Sequence, residues 1–157
     1  MVLNSSLVPR LQSVADRFWH FSKQVYSAPE VKKLCLCLQD KHHRNVNLLL
    51  WLSFCQQQSW TVNLELLLTH IRCSEHKLTA FRLHRRAMKP HLSDTQYQLL
   101  LKHELKLERR QQHLLVLSQQ RHPGGQSAEA ALKDYLEQID AASQYLNSIS
   151  MASQQSA

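Results

Sequence analysis

The stretch from Val46 to Cys55 constrains the fold most strongly, because eight of its ten residues are apolar. Its length suits a buried strand or a short helix, and periodicity cannot distinguish the two. A helix is favoured because the run is rich in leucine rather than in β-branched residues, and Asn45 can cap its first turn. A helix that is apolar on every side is stable only when other elements surround it. We therefore expect a buried central helix around which the remaining helices pack.

The amino-acid composition predicts an all-α protein. The chain has 157 residues, a length typical of one domain, and contains only 2 Gly and 4 Pro. Few residues favour tight turns, which argues against a β-sandwich or a glycine-rich nucleotide-binding fold. We predict a single bundle of five or six helices around the short central helix, with a long helical hairpin at the C-terminal end.

Apolar spacing and breaker residues predict the segment boundaries. Residues 1–12 are expected to form a flexible arm and residues 13–121 a helical domain, with helices at 13–27, 31–41, 46–57, 63–89 and 93–121. Both glycines of the chain fall in residues 122–127, which are predicted to be a linker. An acidic amphipathic helix is expected over residues 128–149, packed on the domain and paired with the helix at 93–121. Residues 150–157 are expected to be a disordered tail.

The net charge indicates an anionic partner without selecting one. The chain has 19 Lys and Arg against 12 Asp and Glu, a formal charge of +7. Such a surface attracts acidic proteins, nucleic acid or lipid headgroups. No apolar run is long enough to cross a bilayer, and no apolar core of a signal peptide is present. The four cysteines lie in leucine-rich segments, as expected of reduced thiols in a cytoplasmic protein.

A basic stripe is the first candidate site. Arg82, Arg85, Arg86 and Lys89 recur at the spacing of one helix face. A row of guanidinium groups suits acidic side chains or phosphates. The predicted role is to bind an acidic protein partner, and binding of nucleic acid or a ribosome is the alternative. A plain solvated face, neutralised by the acidic last helix, is the structural explanation of the same pattern.

Two further clusters are weaker candidates. His70, Cys73 and His76 would share one side of a helix and could lean toward a metal ion, although the ligand spacings typical of zinc sites are absent. An ordinary core thiol and surface histidines explain them equally. A ligand pocket is the second candidate, and its proposed residues are Trp19, His20, Asn47 and Trp51. Core packing is the simpler explanation of the aromatic residues.

Known catalytic signatures are absent from the sequence. It has no glycine-rich phosphate loop, no Gly-x-Ser-x-Gly elbow and no His-Glu-x-x-His motif. We therefore predict a non-enzymatic interaction or adaptor protein without a cofactor. The alternatives are a nucleic-acid- or ribosome-associated factor and a helical protein that binds a small ligand or a metal. A homodimer formed through the C-terminal helices is compatible with all three.

Four motifs in order resemble a known family. They are Phe18-Trp-His-Phe-Ser22, Cys35-Leu-x-Leu-Gln-Asp40, Val46-Asn-Leu-Leu-Leu50 and Leu83-His-Arg-Arg-Ala-Met-Lys89. The chain is similar over roughly Phe18 to Arg110 to a family of small bacterial proteins known only as a conserved domain of unknown function. The resemblance implies an all-helical cytoplasmic protein with no assigned activity, so it carries over no catalytic residue. An Asp is common in that family at the position of Asn45, and a Trp near Cys73.

Overall fold

The computed structural model describes residues 7–155, which form seven α-helices and a small antiparallel sheet. The helices are α1 (Leu7–Tyr26), α2 (Pro29–His42), α3 (Val46–Gln57), α4 (Leu64–Met88), α5 (Asp94–Arg121), α6 (Ala128–Tyr135) and α7 (Ala142–Gln154). The strands are β1 (Thr61–Val62) and β2 (Gln126–Ser127), and a 3-10 turn (Lys89–His91) joins α4 to α5. The all-α prediction is confirmed, although the described residues form more helices than the five or six expected.

The central apolar stretch is helical and enclosed, as predicted. Every residue of α3 from Asn47 to Cys55 is buried. The helix begins where expected, because the Leu48 N–H donates to Oδ1 of Asn45 over 2.7 Å. On one side the Phe18 ring meets Trp51 edge-on with centroids 4.8 Å apart. Aromatic pairs in this geometry add to the free energy of burial, so α1 is held firmly against α3.

The other helix starts carry residues suited to a helix N-terminus. Asn63 caps α4, since its Oδ1 accepts the Leu66 N–H at 3.1 Å. Ser93 and Gln96 form a reciprocal capping box at the start of α5, with bonds of 3.2 and 2.9 Å. Pro29 occupies the first turn of α2, where its missing N–H removes no helical hydrogen bond. These caps fix the points from which the two long helices α4 and α5 extend.

The predicted termini differ from the observed ones. The first helix begins at Leu7 rather than at residue 13, and Leu11 packs against the core. The apolar stripe of α1 therefore starts one turn earlier than expected, while residues 1–6 of the predicted arm lie outside the described residues. At the other end α7 continues to Gln154, and Ala152 in its last turns is buried. The predicted tail is thus helical through residue 154.

The acidic helix predicted over residues 128–149 is two helices. α6 ends at Tyr135 and α7 begins at Ala142, and Gln138 between them has a left-handed φ of 62°. α6 packs on α3, whereas α7 packs mainly on α2. Leu136 and Ile139 are buried in the connection between the two helices. Both C-terminal helices therefore cover the core of their own chain.

The long hairpin is formed by a different pair of helices from the predicted one. α5 runs antiparallel along α4, and this is the most extensive helix pair of the described residues. The predicted pairing of α5 with the acidic C-terminal segment is wrong, because that segment is needed over α3 and α2. The 3-10 turn with its proline allows α4 and α5 to reverse directly into each other.

The predicted linker at residues 122–127 is attached to the domain by a short β-sheet. Its last two residues form β2, which pairs with β1 in the register Thr61 to Ser127 and Val62 to Gln126. Gly125 has a φ of +108°, and a Cβ there would collide with the carbonyl oxygen of Val62. Glycine is required at this point by both the backbone angle and the close approach. This sheet sets the path of the chain from α5 back to the core.

Candidate functional site

The outer halves of α4 and α5 form an exposed basic hairpin. No residue between Thr79 and Arg110, a segment here called the hairpin arm, is buried. Eight Lys and Arg stand against three Asp and Glu in this arm, which therefore holds most of the net positive charge of the chain. A concentration of one sign of charge on one part of a surface attracts oppositely charged partners. The hairpin arm is the main candidate for an interaction site.

The predicted basic stripe on α4 is not an open surface. Arg82 pairs with Glu108 at 3.2 Å and with Glu104 at 3.5 Å, and Arg85 binds Glu104 and the Tyr97 hydroxyl. The two arginine side chains are only 11% and 12% exposed. Their acidic partners belong to the middle of α5, not to the last helix as one explanation of the stripe supposed. These two arginines join α4 to α5.

The other two residues of that stripe lie at the surface. Arg86 pairs with Asp40 at 3.3 Å, and both side chains are about half exposed. The Lys89 ammonium lies 5.2 Å from the centre of the Tyr97 ring. Exposed pairs of this kind contribute little and are readily exchanged. That these residues bind a partner stays a prediction, but the four side chains do not present one continuous face.

A second basic row lies on the outer face of α5. Lys102, Lys106 and Arg110, here called the outer basic stripe, are exposed and lie four residues apart. Within residues 7–155 none of the three has a carboxylate within 4 Å. Like charges four apart destabilise a helix. The cations have no compensating partner within the described chain.

Aromatic faces on the hairpin arm are occupied, whereas several leucines are open. Arg85 and Lys89 both approach the Tyr97 ring, at 5.7 and 5.2 Å, and His103 lies 5.1 Å from Phe81. By contrast, three leucines of the arm are strongly exposed. They are Leu83 at 63%, Leu99 at 61% and Leu105 at 49%. The arm thus offers cations beside aliphatic groups rather than free rings.

A buried amide network joins the hairpin arm to the core. Oε1 of Gln111 accepts from the side-chain amides of Asn45 and Asn47, each at 2.9 Å. Nε2 of Gln111 donates to Ser74 at 2.9 Å, and the Asn45 amide also reaches Glu75. Gln111 is completely buried, so each of these polar groups depends on the others for its hydrogen bonds. Asn47, predicted from the sequence to line a ligand pocket, is part of this network.

The predicted ligand pocket is only partly assembled. Trp19 and Asn47 line a cavity of about 200 Å³ between α1, α3 and α5. His20 is exposed and lines a different depression, because successive helix positions point about 100° apart. Trp51 is fully buried between Phe18 and Phe54, with its indole N–H lacking a partner in the described residues. His20 and Trp51, which the sequence analysis assigned to the pocket, therefore do not line this cavity.

Glu108 and Gln112 of α5, which were not singled out from the sequence, also line that cavity. Tyr26 of α1 and Arg82 of α4 contribute to the same lining. Burial raises the pKa of Glu108, which Arg82 partly opposes, and burial followed by nearby Cys35 raises the pKa of Tyr26 to about 12. Polar residues on otherwise buried helix faces were the available signal. Their convergence depends on how three helices pack, which periodicity does not reveal.

The predicted metal candidates do not converge. Nδ1 of His70 lies 2.7 Å from the Ser118 hydroxyl, while Cys73 and His76 are exposed. Across residues 7–155 no three His, Cys, Asp or Glu side chains are placed to share an ion.

Elsewhere in the chain, burial raises the pKa of the Cys35 thiol to about 12. That thiol is consequently protonated and unreactive at neutral pH.

Comparison with protein families places the chain in one of them. The profile described as a protein of unknown function, DUF2390, matches residues 17–115, which is more than half of the chain. The protein belongs to this family, as the motif resemblance implied. The match covers the second half of α1, all of α2, α3 and α4 and most of α5, and so includes the whole hairpin arm. No curated protein and no solved structure matches the chain. None of the helices in residues 7–155 combines the length and the apolar character that crossing a membrane requires.

Proposed function

We propose that this chain is a non-enzymatic cytoplasmic docking protein whose hairpin arm binds an acidic segment of a partner protein. The observation that carries the proposal is the outer basic stripe, formed by Lys102, Lys106 and Arg110. These three cations lie on one face of α5, and no acidic side chain of residues 7–155 pairs with them. Each like-charged pair four residues apart costs roughly 0.2–0.5 kcal/mol in an isolated helix. An acidic partner would replace that repulsion with attraction.

The division of charge across α5 supports this role. Glu104 and Glu108 face α4, where they pair with Arg82 and Arg85. The acidic side chains in the middle of α5 therefore neutralise the inner arginines and leave the outer cations uncompensated. The hairpin is held together by the inner pairs and can present its outer face without rearrangement. A rigid surface binds more tightly than one that must be ordered on binding.

The exposed leucines favour a protein over a nucleic acid. Leu99 lies on the same face as the outer basic stripe, one turn before Lys102, and is 61% exposed. An acidic helix with apolar residues could bury this side chain, whereas a phosphate backbone could not. Recognition of single-stranded nucleic acid generally uses open aromatic faces, and the Tyr97 ring is already covered by two cations. A nucleic-acid- or ribosome-associated role is the alternative that the experiment must separate.

The test uses a labelled glutamate-rich peptide with leucine at every fourth position, and fluorescence anisotropy as the readout. In the test variant Lys102, Lys106 and Arg110 are replaced by Glu. We expect its affinity to fall at least about tenfold, since three modest ion pairs together contribute about 1.4 kcal/mol or more. The matched control replaces Lys32, Lys33 and Lys41 by Glu, three exposed cations of α2.

Three outcomes would overturn the proposal. The first is an equal loss of affinity in the control variant, which would show that net charge alone controls binding. The second is equal binding of a glutamate peptide without leucines, which would leave no role for Leu99. The third is tighter binding of an RNA or DNA duplex of matched charge, with the steep salt dependence of phosphate contacts, which would favour the nucleic-acid alternative.

A further inference from the structure

We propose that the cavity between α1, α3 and α5 binds a free amino acid with a small apolar side chain. The cavity has a volume of about 200 Å³. That volume corresponds to roughly seven water molecules at about 30 Å³ each. It suits one small amino acid and is too small for a nucleotide or a folded peptide. This proposal concerns a different face of α5 from the outer basic stripe and does not depend on it.

Side chains from α1, α3 and α5 form most of the cavity lining. Trp19, Ser22 and Tyr26 are three and four residues apart on α1, and Leu105, Glu108 and Gln112 repeat that spacing on α5. Asn47 and Leu50 close the cavity from α3. Residues with these separations share one helix face, so each helix presents a mixed apolar and polar wall. The apolar groups would contact the side chain of the ligand.

Gln112 forms a fixed polar part of the lining. Its Nε2 donates to Ser22 Oγ and to Asn47 Oδ1, both at 3.1 Å. Gln112 is only 3% exposed. These two bonds hold the amide in place, so the wall that α5 contributes is already formed before a ligand enters.

The charged residues of the lining are arranged for a molecule with both signs of charge. The Glu108 carboxylate accepts one hydrogen bond from Arg82 through Oε1, and within residues 7–155 its second oxygen has no hydrogen bond. Burial raises the pKa of Glu108, so a cationic ligand group would favour its ionised form. Lys23 lies in the same lining, is exposed and has no ion-pair partner in the described residues. Its ammonium can bind a carboxylate.

A zwitterion with an aliphatic body matches this lining. Its ammonium would donate to the second oxygen of Glu108, while its carboxylate would bind Lys23. An amine alone would leave Lys23 unpaired and would approach Arg82 without compensation. A simple carboxylic acid would leave the second oxygen of Glu108 unpaired and would be repelled by its charge. The amino acid is therefore the ligand class that matches this lining.

The test is isothermal titration of the full chain with L-leucine, isopentylamine and isocaproate. The two analogues keep the aliphatic body and lack either the carboxylate or the ammonium. We expect one L-leucine bound per chain, with each analogue at least about tenfold weaker, since each analogue lacks one of the two charged groups that the lining would bind. Glu108→Gln should weaken L-leucine binding by a similar factor, and Lys23→Met by about threefold because Lys23 is exposed to solvent.

Matched controls separate loss of the site from loss of the fold. Glu65→Gln and Lys33→Met make the same chemical changes at exposed positions away from the cavity and should leave binding unchanged. Thermal unfolding of each variant checks that the helices are intact. Absence of L-leucine binding overturns the proposal. Equal affinity of isocaproate and L-leucine, or unchanged L-leucine binding by a folded Glu108→Gln variant, overturns it as well.

Discussion

The core around α3 and the hairpin arm are stabilised by different forces. In the core, Trp51 and its neighbours on α3 are fully buried among apolar and aromatic side chains. In the arm no residue is buried, and the two helices are joined by pairs such as Arg85 with Glu104 and by cations over the Tyr97 ring. Apolar burial is non-directional and strong, whereas partly exposed ion pairs are directional and weak. The core therefore supplies most of the stability and the arm supplies a shaped, charged surface.

This difference explains why the outer basic stripe lies on the hairpin arm and not on the core. Repulsion along Lys102, Lys106 and Arg110 weakens only the arm, because the core does not depend on that face of α5. The buried amide network around Gln111 lies where the two regions meet and holds one against the other. A protein built in this way can change the arm surface with little effect on its core. The following predictions test that division.

The largest effect is expected from Trp51→Ala in the core. Removing a fully buried indole leaves a cavity, and we expect the free energy of unfolding to fall by about 3–5 kcal/mol. Leu99→Ala in the arm is the matched change at a 61% exposed position and should stay within about 0.5 kcal/mol of the parent. Urea unfolding followed by circular dichroism measures both. Similar losses for the two variants would end the distinction between core and arm.

An intermediate effect is expected from Gln111→Leu at the junction. Leucine keeps the approximate volume but removes the acceptor that Asn45 and Asn47 share, so each amide loses one hydrogen bond and keeps only its bond to Glu75 or to the Glu108 carbonyl. A lost buried hydrogen bond of this kind costs about 1–3 kcal/mol, so we expect a loss of about 2–3 kcal/mol in the same unfolding measurement. Gln98→Leu, at an exposed position of the same helix, is the control and should be nearly neutral. A neutral Gln111→Leu would show that the network does not hold the two regions together.

The smallest of the three effects is expected from Glu104→Gln within the arm. The change removes the charge that pairs with Arg82 and Arg85, and the Glu104 side chain is 12% exposed. We expect a loss of about 1–2 kcal/mol, with hydrogen exchange increased in the outer turns of α4 and α5 but not in α3. Glu129→Gln breaks an exposed pair with Lys133 and should change stability by less than about 0.5 kcal/mol. Faster exchange in α3 after Glu104→Gln would contradict the independence of the arm.

Local signals in the sequence predicted much of the fold. The leucine-rich run predicted α3, Asn45 predicted the first turn of that helix, and apolar spacing predicted helices close to α4 and α5. Each of these depends on residues within one or two turns of one another. The pairing of α5 with α4 was missed, because the apolar pattern of a helix shows which face is buried but not which helix covers it.

The candidate site was predicted less well for the same reason. Arg82 and Arg85 share a helix face with Arg86, yet only the position of Glu104 on the neighbouring helix decides which of them are neutralised. Trp19 and Asn47 do line one cavity, but Glu108 reaches it from a helix far along the chain. Contacts between residues 19, 47 and 108 leave no periodic trace in the sequence.

By itself, the sequence determined the helical class, the central apolar helix and the excess of positive charge, since these follow from composition, short-range spacing and capping chemistry. The tertiary structure alone decided which cations have no acidic partner among residues 7–155 and which residues line the cavity. It also decided where the C-terminal segment bends between α6 and α7. The physical reason is the separation along the sequence of the residues that interact. Helix formation is settled by contacts within a few residues, whereas charge neutralisation and cavity lining are settled by which helices become neighbours.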